Sequence, residues 1–244
     1  QGEVGSSIES PGVHIGLLRL MLEQTRLRIL VAAFLSTEIS HGRGSETTER
    51  FYDTSRDGEL KMTTQDRYEY WESLYSDPRA ARGKDWYGTW AQFKDDIVGP
   101  PFNPEAHILV AGCGVSDLPV DVADDGFHHV TAADYSKASI RVQRKKYKKT
   151  YPTVKWVVAD MRHMPETKDM SYDVIIEKAL LDGEGAFGET SQMIAETARI
   201  LRPGGRYVSI SLGKPEEMNT ADFFYRAEYG WSVDFRISYD DYWV

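Results

Sequence analysis

Positive charge is in short supply in this sequence. Its 244 residues hold 29 Lys and Arg against 38 Asp and Glu, a formal charge of −9. That balance argues against a general nucleic-acid binder, whose affinity would rest on cations neutralising phosphates, and suits a basic partner or substrate. Cysteine is nearly absent. Cys113 is the single one, so no internal disulfide can form, nothing ties the chain to an oxidising compartment, and the cytosol is the default expectation. Long apolar runs are missing too: the stretch from Ile29 to Leu35 is far short of the roughly 20 residues a bilayer requires. His107, His128, His129 and His163 have no partner at i+4 and no cysteine beside them, which argues against a zinc site. Internal repeats and long low-complexity tracts are also absent.

What is present is enough for one core. About two-fifths of the residues are hydrophobic (41%), and at this length one domain with an extension is expected. Residues 15–39 are apolar, arginine-bearing and poor in acids. A signal or transit peptide has that composition, but an amphipathic helix packed on the domain is the preferred reading. A chain that begins at Gln1 without methionine fits a segment of a longer product. Residues 41–60 are rich in Gly, Ser, Thr and charge, which marks a linker and sets a boundary at about residue 60. The expected organisation is an extension over 1–60, helix plus linker, followed by a domain over 61–244.

Two short helices are predicted ahead of the main sheet. Tyr68, Trp71, Leu74 and Tyr75 share one helical face, as do Trp90, Phe93 and Ile97. From His107 onward, short apolar runs alternate with helical stretches: HILVAG, HHVTAAD, VKWVVAD, YDVIIEK and RYVSISL. Such alternation predicts a doubly wound α/β fold, a mainly parallel sheet covered on both faces. Residues 136–150 and 189–201 are the clearest helices, the second stopped by Pro203-Gly204-Gly205. WSVDFRISY and DYWV read as a closing antiparallel pair, the chain ending inside the second strand. The basic run from Arg141 to Lys149 is read as the solvated face of a helix whose apolar face carries Ile140, Tyr147 and Tyr151.

The chemistry lies at the strand ends. Gly112 and Gly114 follow the first of these strands directly, and glycine there lets the backbone turn tightly and approach a ligand. A dinucleotide fingerprint would place a third glycine where Asp117 stands, a departure that points away from NAD and toward another nucleoside cofactor. Asp134, Asp160 and Glu177 close successive strands, and in a doubly wound sheet the crevice at those ends is where ligands bind. Asp134, twenty residues past Gly114, suits a carboxylate accepting two ribose hydroxyls. Asp160 is placed for an adenine amino group, with the Met161 N–H near a ring nitrogen.

The set VAGCGVSDLP, TAADYS, VVADMRHMP, YDVIIEKALLD and LRPGGRYVSIS resembles a class I S-adenosylmethionine-dependent methyltransferase over roughly the last three-quarters of the chain. More narrowly, YEYWESLY, DWYGTW and YRAEYGWSV resemble the eukaryotic lysine methyltransferase family that acts on translation elongation factor 1-alpha. The resemblance implies a seven-stranded, mostly parallel, Rossmann-like sheet and S-adenosylmethionine as cofactor, with S-adenosylhomocysteine as product and no metal. It implies cofactor contacts at Trp71, Tyr75, Trp86, Gly112, Gly114, Asp134, Tyr135, Asp160, Met161 and Glu177. Aromatic faces suit a sulfonium cation with little water around it. Glu177 and Asp182 become candidates for orienting or deprotonating an amine, and Tyr225, Tyr229 and Trp231 for walling its channel. The family pattern (D/E)-K-G-T-L-D reads Glu177-Lys178-Ala179-Leu180-Leu181-Asp182 here, which leaves the substrate open. A small-molecule or other side-chain methyltransferase, and a cofactor-binding protein without catalysis, are the alternatives.

Overall fold

The computed structural model describes residues 27–33, 63–77, 79, 87–98, 103–181, 189–211, 229–235, 237–239 and 242–243. Five parallel strands form its frame: β2 (His107–Ala111), β3 (His129–Asp134), β4 (Lys155–Val158), β5 (Tyr172–Lys178) and β6 (Leu201–Ser211). They lie in the order β4-β3-β2-β5-β6. The non-sequential order follows from crossover connections, which the alternating sequence pattern predicts.

A central strand in such a sheet must bury both faces, and β2 shows how the sequence achieves this. Ile108 and Val110 join one apolar cluster with Trp90, Phe93, Val130, Ile140 and Trp156. Leu109 and Ala111 join a second, with Ala133, Ile175, Ile194, Leu201 and Tyr207. Alternate residues thus anchor the two layers of helices. The helices are α1 (Thr64–Ser76), α2 (Trp90–Val98), α3 (Leu118–Asp124), α4 (Lys137–Tyr147) and α5 (Thr190–Ile200). Ser136 caps α4, its hydroxyl accepting from the Ser139 N–H. Helix α1 begins in a capping box in which the Thr63 hydroxyl accepts from the Asp66 N–H at 3.1 Å and Asp66 accepts from the Thr63 N–H at 2.8 Å. Such a box is worth about 1 kcal/mol.

Two expectations need correction. Residues 27–33, inside the predicted amphipathic helix, form strand β1, running parallel to β6. The short run LRILVAA is apolar and partly β-branched, and periodicity over seven residues cannot separate a buried strand from a buried helix; pairing with β6 does. The rest of residues 1–60 lies outside the described residues. The closing segment WSVDFRISY is also not one strand: β7 (Trp231–Phe235) runs parallel to β1, whereas β8 (Ile237–Tyr239) pairs antiparallel with β9 (Tyr242–Trp243). No described helix is long and apolar enough to cross a membrane.

Candidate active site

The register of the sheet brings the strand ends together. Ala111 is level with Ala133 on one side and Glu177 on the other, and Asp134 is level with Val158. The turn after β2, the end of β3, the end of β4 and the end of β5 therefore share one edge. Gly112 and Gly114 both have left-handed backbones, with φ of 60° and 48°, a region costly for residues with a Cβ. Space demands glycine as well. A Cβ on Gly112 would stand 2.8 Å from Leu180 Cδ1, and one on Gly114 would stand 2.6 Å from the Tyr75 hydroxyl.

Asp134 is buried at 5% exposure. The Gly114 N–H donates to its Oδ2 at 2.7 Å and the Ser136 N–H to its Oδ1 at 2.8 Å. A carboxylate has about four lone-pair sites, so Asp134 keeps acceptor capacity beyond these two backbone bonds and the nearby Ser139 hydroxyl. Burial raises its pKa from 3.8 to about 6, more than the two backbone hydrogen bonds lower it.

Asp160 is held differently. Burial works to raise its pKa, but Arg162 outweighs that and keeps it below the ordinary carboxylate value. Arg162 donates to Asp160 Oδ1 from its backbone N–H at 2.9 Å and from Nε at 2.8 Å, and its guanidinium also pairs with Glu189. The neighbouring Met161 is buried.

Glu177, fully buried, serves the turn that follows its own strand. One oxygen accepts from the Leu180 N–H at 2.8 Å and the Leu181 N–H at 3.2 Å, and the other from the Ser209 hydroxyl. Inside that turn Ala179 takes a φ of 65°, at the position where the family pattern carries glycine. Lys178 is buried and donates from Nζ to the Gly88 carbonyl at 2.9 Å, tying the end of β5 to the segment that follows Trp86.

Helix α1 lays its aromatic face over this edge. Trp71 and Tyr75 stack with ring centres 5.6 Å apart, and Tyr68 meets Tyr135 edge to face at 5.7 Å. Burial and the nearby Asp134 charge push the Tyr75 hydroxyl well above its ordinary pKa, so it is a neutral hydrogen-bonding group over Gly114. Tyr229 and Trp231 lie 5.3 Å apart and pack on the same apolar cluster as Leu180. Trp86, Asp182 and Tyr225 lie outside the described residues.

Residues 108–205 match the family pattern of a methyltransferase domain. The chain is 30% identical over 178 residues to EEF1A lysine methyltransferase 4 of Bos taurus, covering 68% of each chain. The chain belongs to this family. It is a class I S-adenosylmethionine-dependent methyltransferase. The human eEF1A lysine and N-terminal methyltransferase is 29% identical over 171 residues, which span 68% of this chain and 24% of that larger protein. Among solved structures, Haemonchus contortus phosphoethanolamine N-methyltransferase 2, in complex with phosphomonomethylethanolamine and S-adenosylhomocysteine, superposes with a TM-score of 0.50. It covers 68% of this chain and 42% of its own at 17% identity, a likeness of fold.

The residues present fit the methyltransferase cofactor: a left-handed glycine turn at the end of β2, a buried carboxylate at the end of β3, and stacked aromatics for a cation. Sequence reasoning missed the groups that hold this edge in place. Glu72 accepts from the Ser136 hydroxyl at 2.6 Å and the Ala138 N–H at 3.0 Å. Glu189 gathers Thr64, Arg67 and Arg162. The serine ahead of α4 is a legible cap, but nothing local announces that a carboxylate 64 residues away meets its hydroxyl. Leu180 against Gly112 was equally hidden.

Proposed function

We propose that this methyltransferase is a protein-lysine N-methyltransferase acting on translation elongation factor 1-alpha or a protein like it. The relationship to the bovine enzyme named for that activity carries the reading. The chain's net charge of −9 supports a basic protein surface as the target, and a cytosolic site of action follows from such a target. The catalytic domain spans 61–244; the extension over 1–60 contributes β1, which with β7 completes a seven-stranded sheet.

Methyl transfer from a sulfonium is an in-line displacement, and the bound cofactor supplies both methyl and leaving group. The chain must position and desolvate the nucleophile. Asp134 would hold the ribose and Asp160, steadied by Arg162, the adenine amino group, with the Met161 N–H toward the ring. Trp71, Tyr75 and Trp86 would surround the sulfonium end, beside Gly112, Gly114 and Tyr135. A lysine amine, with a reference pKa of about 10.4, must lose its proton, and an aromatic channel of Tyr225, Tyr229 and Trp231 would favour the neutral form. Asp182 is the proposed acceptor or orienting group. Glu177 accepts from the N–H groups of Leu180 and Leu181 and from the Ser209 hydroxyl, so beside any contact with the cofactor or the amine it would set the turn after β5.

The test is incubation of the purified chain with methyl-labelled S-adenosylmethionine and a cell lysate, followed by location of the label. Label on a lysine of elongation factor 1-alpha is expected. Label confined to small molecules, or to other side chains, overturns the substrate reading.

A further inference from the structure

Helix α1 is an odd element to find over a cofactor site. Its only fully buried residue is an arginine, Arg67 at 2% exposure, so apolar burial alone does not hold it. Two carboxylates fasten it beside its aromatic contacts. At the helix's start, Glu189, the residue before α5, accepts from the Thr64 hydroxyl and pairs with Arg67. The same carboxylate pairs with Arg162, whose guanidinium grips Asp160. One turn on, Glu72 reaches across to accept from the Ser136 hydroxyl and the Ala138 N–H. Ser136 in turn donates its N–H to Asp134 at 2.8 Å. Each anchor of α1 is therefore one residue removed from one of the two acids proposed to bind the nucleoside. On the same helix, the Tyr75 hydroxyl sits over Gly114 and Tyr68 sits against Tyr135.

We propose that Glu72 and Glu189 are positioning residues that couple the docking of α1 to the orientation of Asp134 and Asp160, so that closing the helix and binding the cofactor are one event. The proposal rests on the cofactor lying at this edge. Both carboxylates are ionised at neutral pH: burial raises their pKa values, but for Glu72 the hydrogen bonds from Ser136 and Ala138, and for Glu189 those from Thr64 and Arg162, bring each below the ordinary value. Charge-assisted bonds of this kind are the strong ones. An ion pair that only fastened α1 would contribute to stability and leave cofactor affinity alone; Glu189 instead shares the Arg162 guanidinium with Asp160, so its removal changes the charge and packing around the pair that sets Asp160.

Calorimetric titration of S-adenosylhomocysteine and amide hydrogen exchange, on the full chain and on E72Q and E189Q, test this. Each substitution should weaken binding about tenfold, the loss of one charge-assisted bond transmitted to the ligand. In the wild type the ligand should protect the amides of residues 64–76 from exchange, and in either variant that protection should shrink. Thermal melting of the free variants serves as the structural control, and T64V, which removes only the hydroxyl from the Glu189 cluster, is the milder substitute if E189Q does not fold. Unchanged affinity and unchanged ligand-induced protection overturn the proposal, even if melting falls. Wild-type binding that survives D134A would instead remove the cofactor from this edge, a different failure.

Discussion

Lowering the pH should disarm the cofactor site through one group. Asp134 titrates near 6 because burial disfavours its charge, and accepting ribose hydroxyls requires the carboxylate to be ionised. Among the described groups beside it, Glu72 is held below its ordinary value and Tyr75 and Cys113 are pushed well above theirs, so Asp134 dominates the change between pH 8 and pH 5. With a pKa of about 6, Asp134 is about 99% ionised at pH 8 and about 9% ionised at pH 5, so the apparent Kd for S-adenosylhomocysteine should rise about elevenfold. Binding at pH 6 should release about half a proton, measurable by calorimetry in buffers of different ionisation enthalpy. The stability linkage has the opposite sign. A carboxyl whose pKa is raised on folding contributes stability that is fully present below its unfolded value of 3.8 and is lost as pH rises through about 6. At neutral pH the free protein therefore forgoes about 3 kcal/mol at this one residue, a cost tolerated where binding needs a buried charge. An affinity that is flat from pH 8 to pH 5, with no proton released, would refute this assignment of Asp134.

Two further outcomes follow from backbone geometry. Ala179 holds a φ of 65°, which costs a residue with a Cβ about 1–2 kcal/mol. After the extra chain entropy of glycine is deducted, Ala179→Gly should stabilise the fold by about 1 kcal/mol, raising Tm by about 2–4 °C; a lower Tm in a thermal melt would contradict the strain. Gly114→Ala must accommodate a Cβ 2.6 Å from the Tyr75 hydroxyl at a φ of 48°, so it should displace Tyr75 and weaken S-adenosylhomocysteine binding by more than about tenfold. Wild-type affinity in that variant would mean that Tyr75 and the glycine turn are not cofactor contacts.

The frame and the edge are written in local sequence patterns. Strands β2 to β5 were legible as short apolar runs, and the ends of β3, β4 and β5 because an acid, Asp134, Asp160 or Glu177, stands at or just after each. The aromatic face of α1 was legible for the same kind of reason: Tyr68, Trp71 and Tyr75 recur at helical spacing, and spacing is a local property. Tertiary structure decided what no local pattern encodes. Residues 27–33 became a strand because β6 offered a partner, although their seven residues fit either period. Leu180 became the neighbour of Gly112 only once β2 and β5 were paired, and Glu177 met the Ser209 hydroxyl only once β5 and β6 were. The anchors of α1 join residues 64 and 122 positions apart. Periodicity reports which face of an element is apolar, but hydrogen bonds and ion pairs act over about 3 Å, so which distant carboxylate meets which serine or arginine is fixed by the packed chain alone.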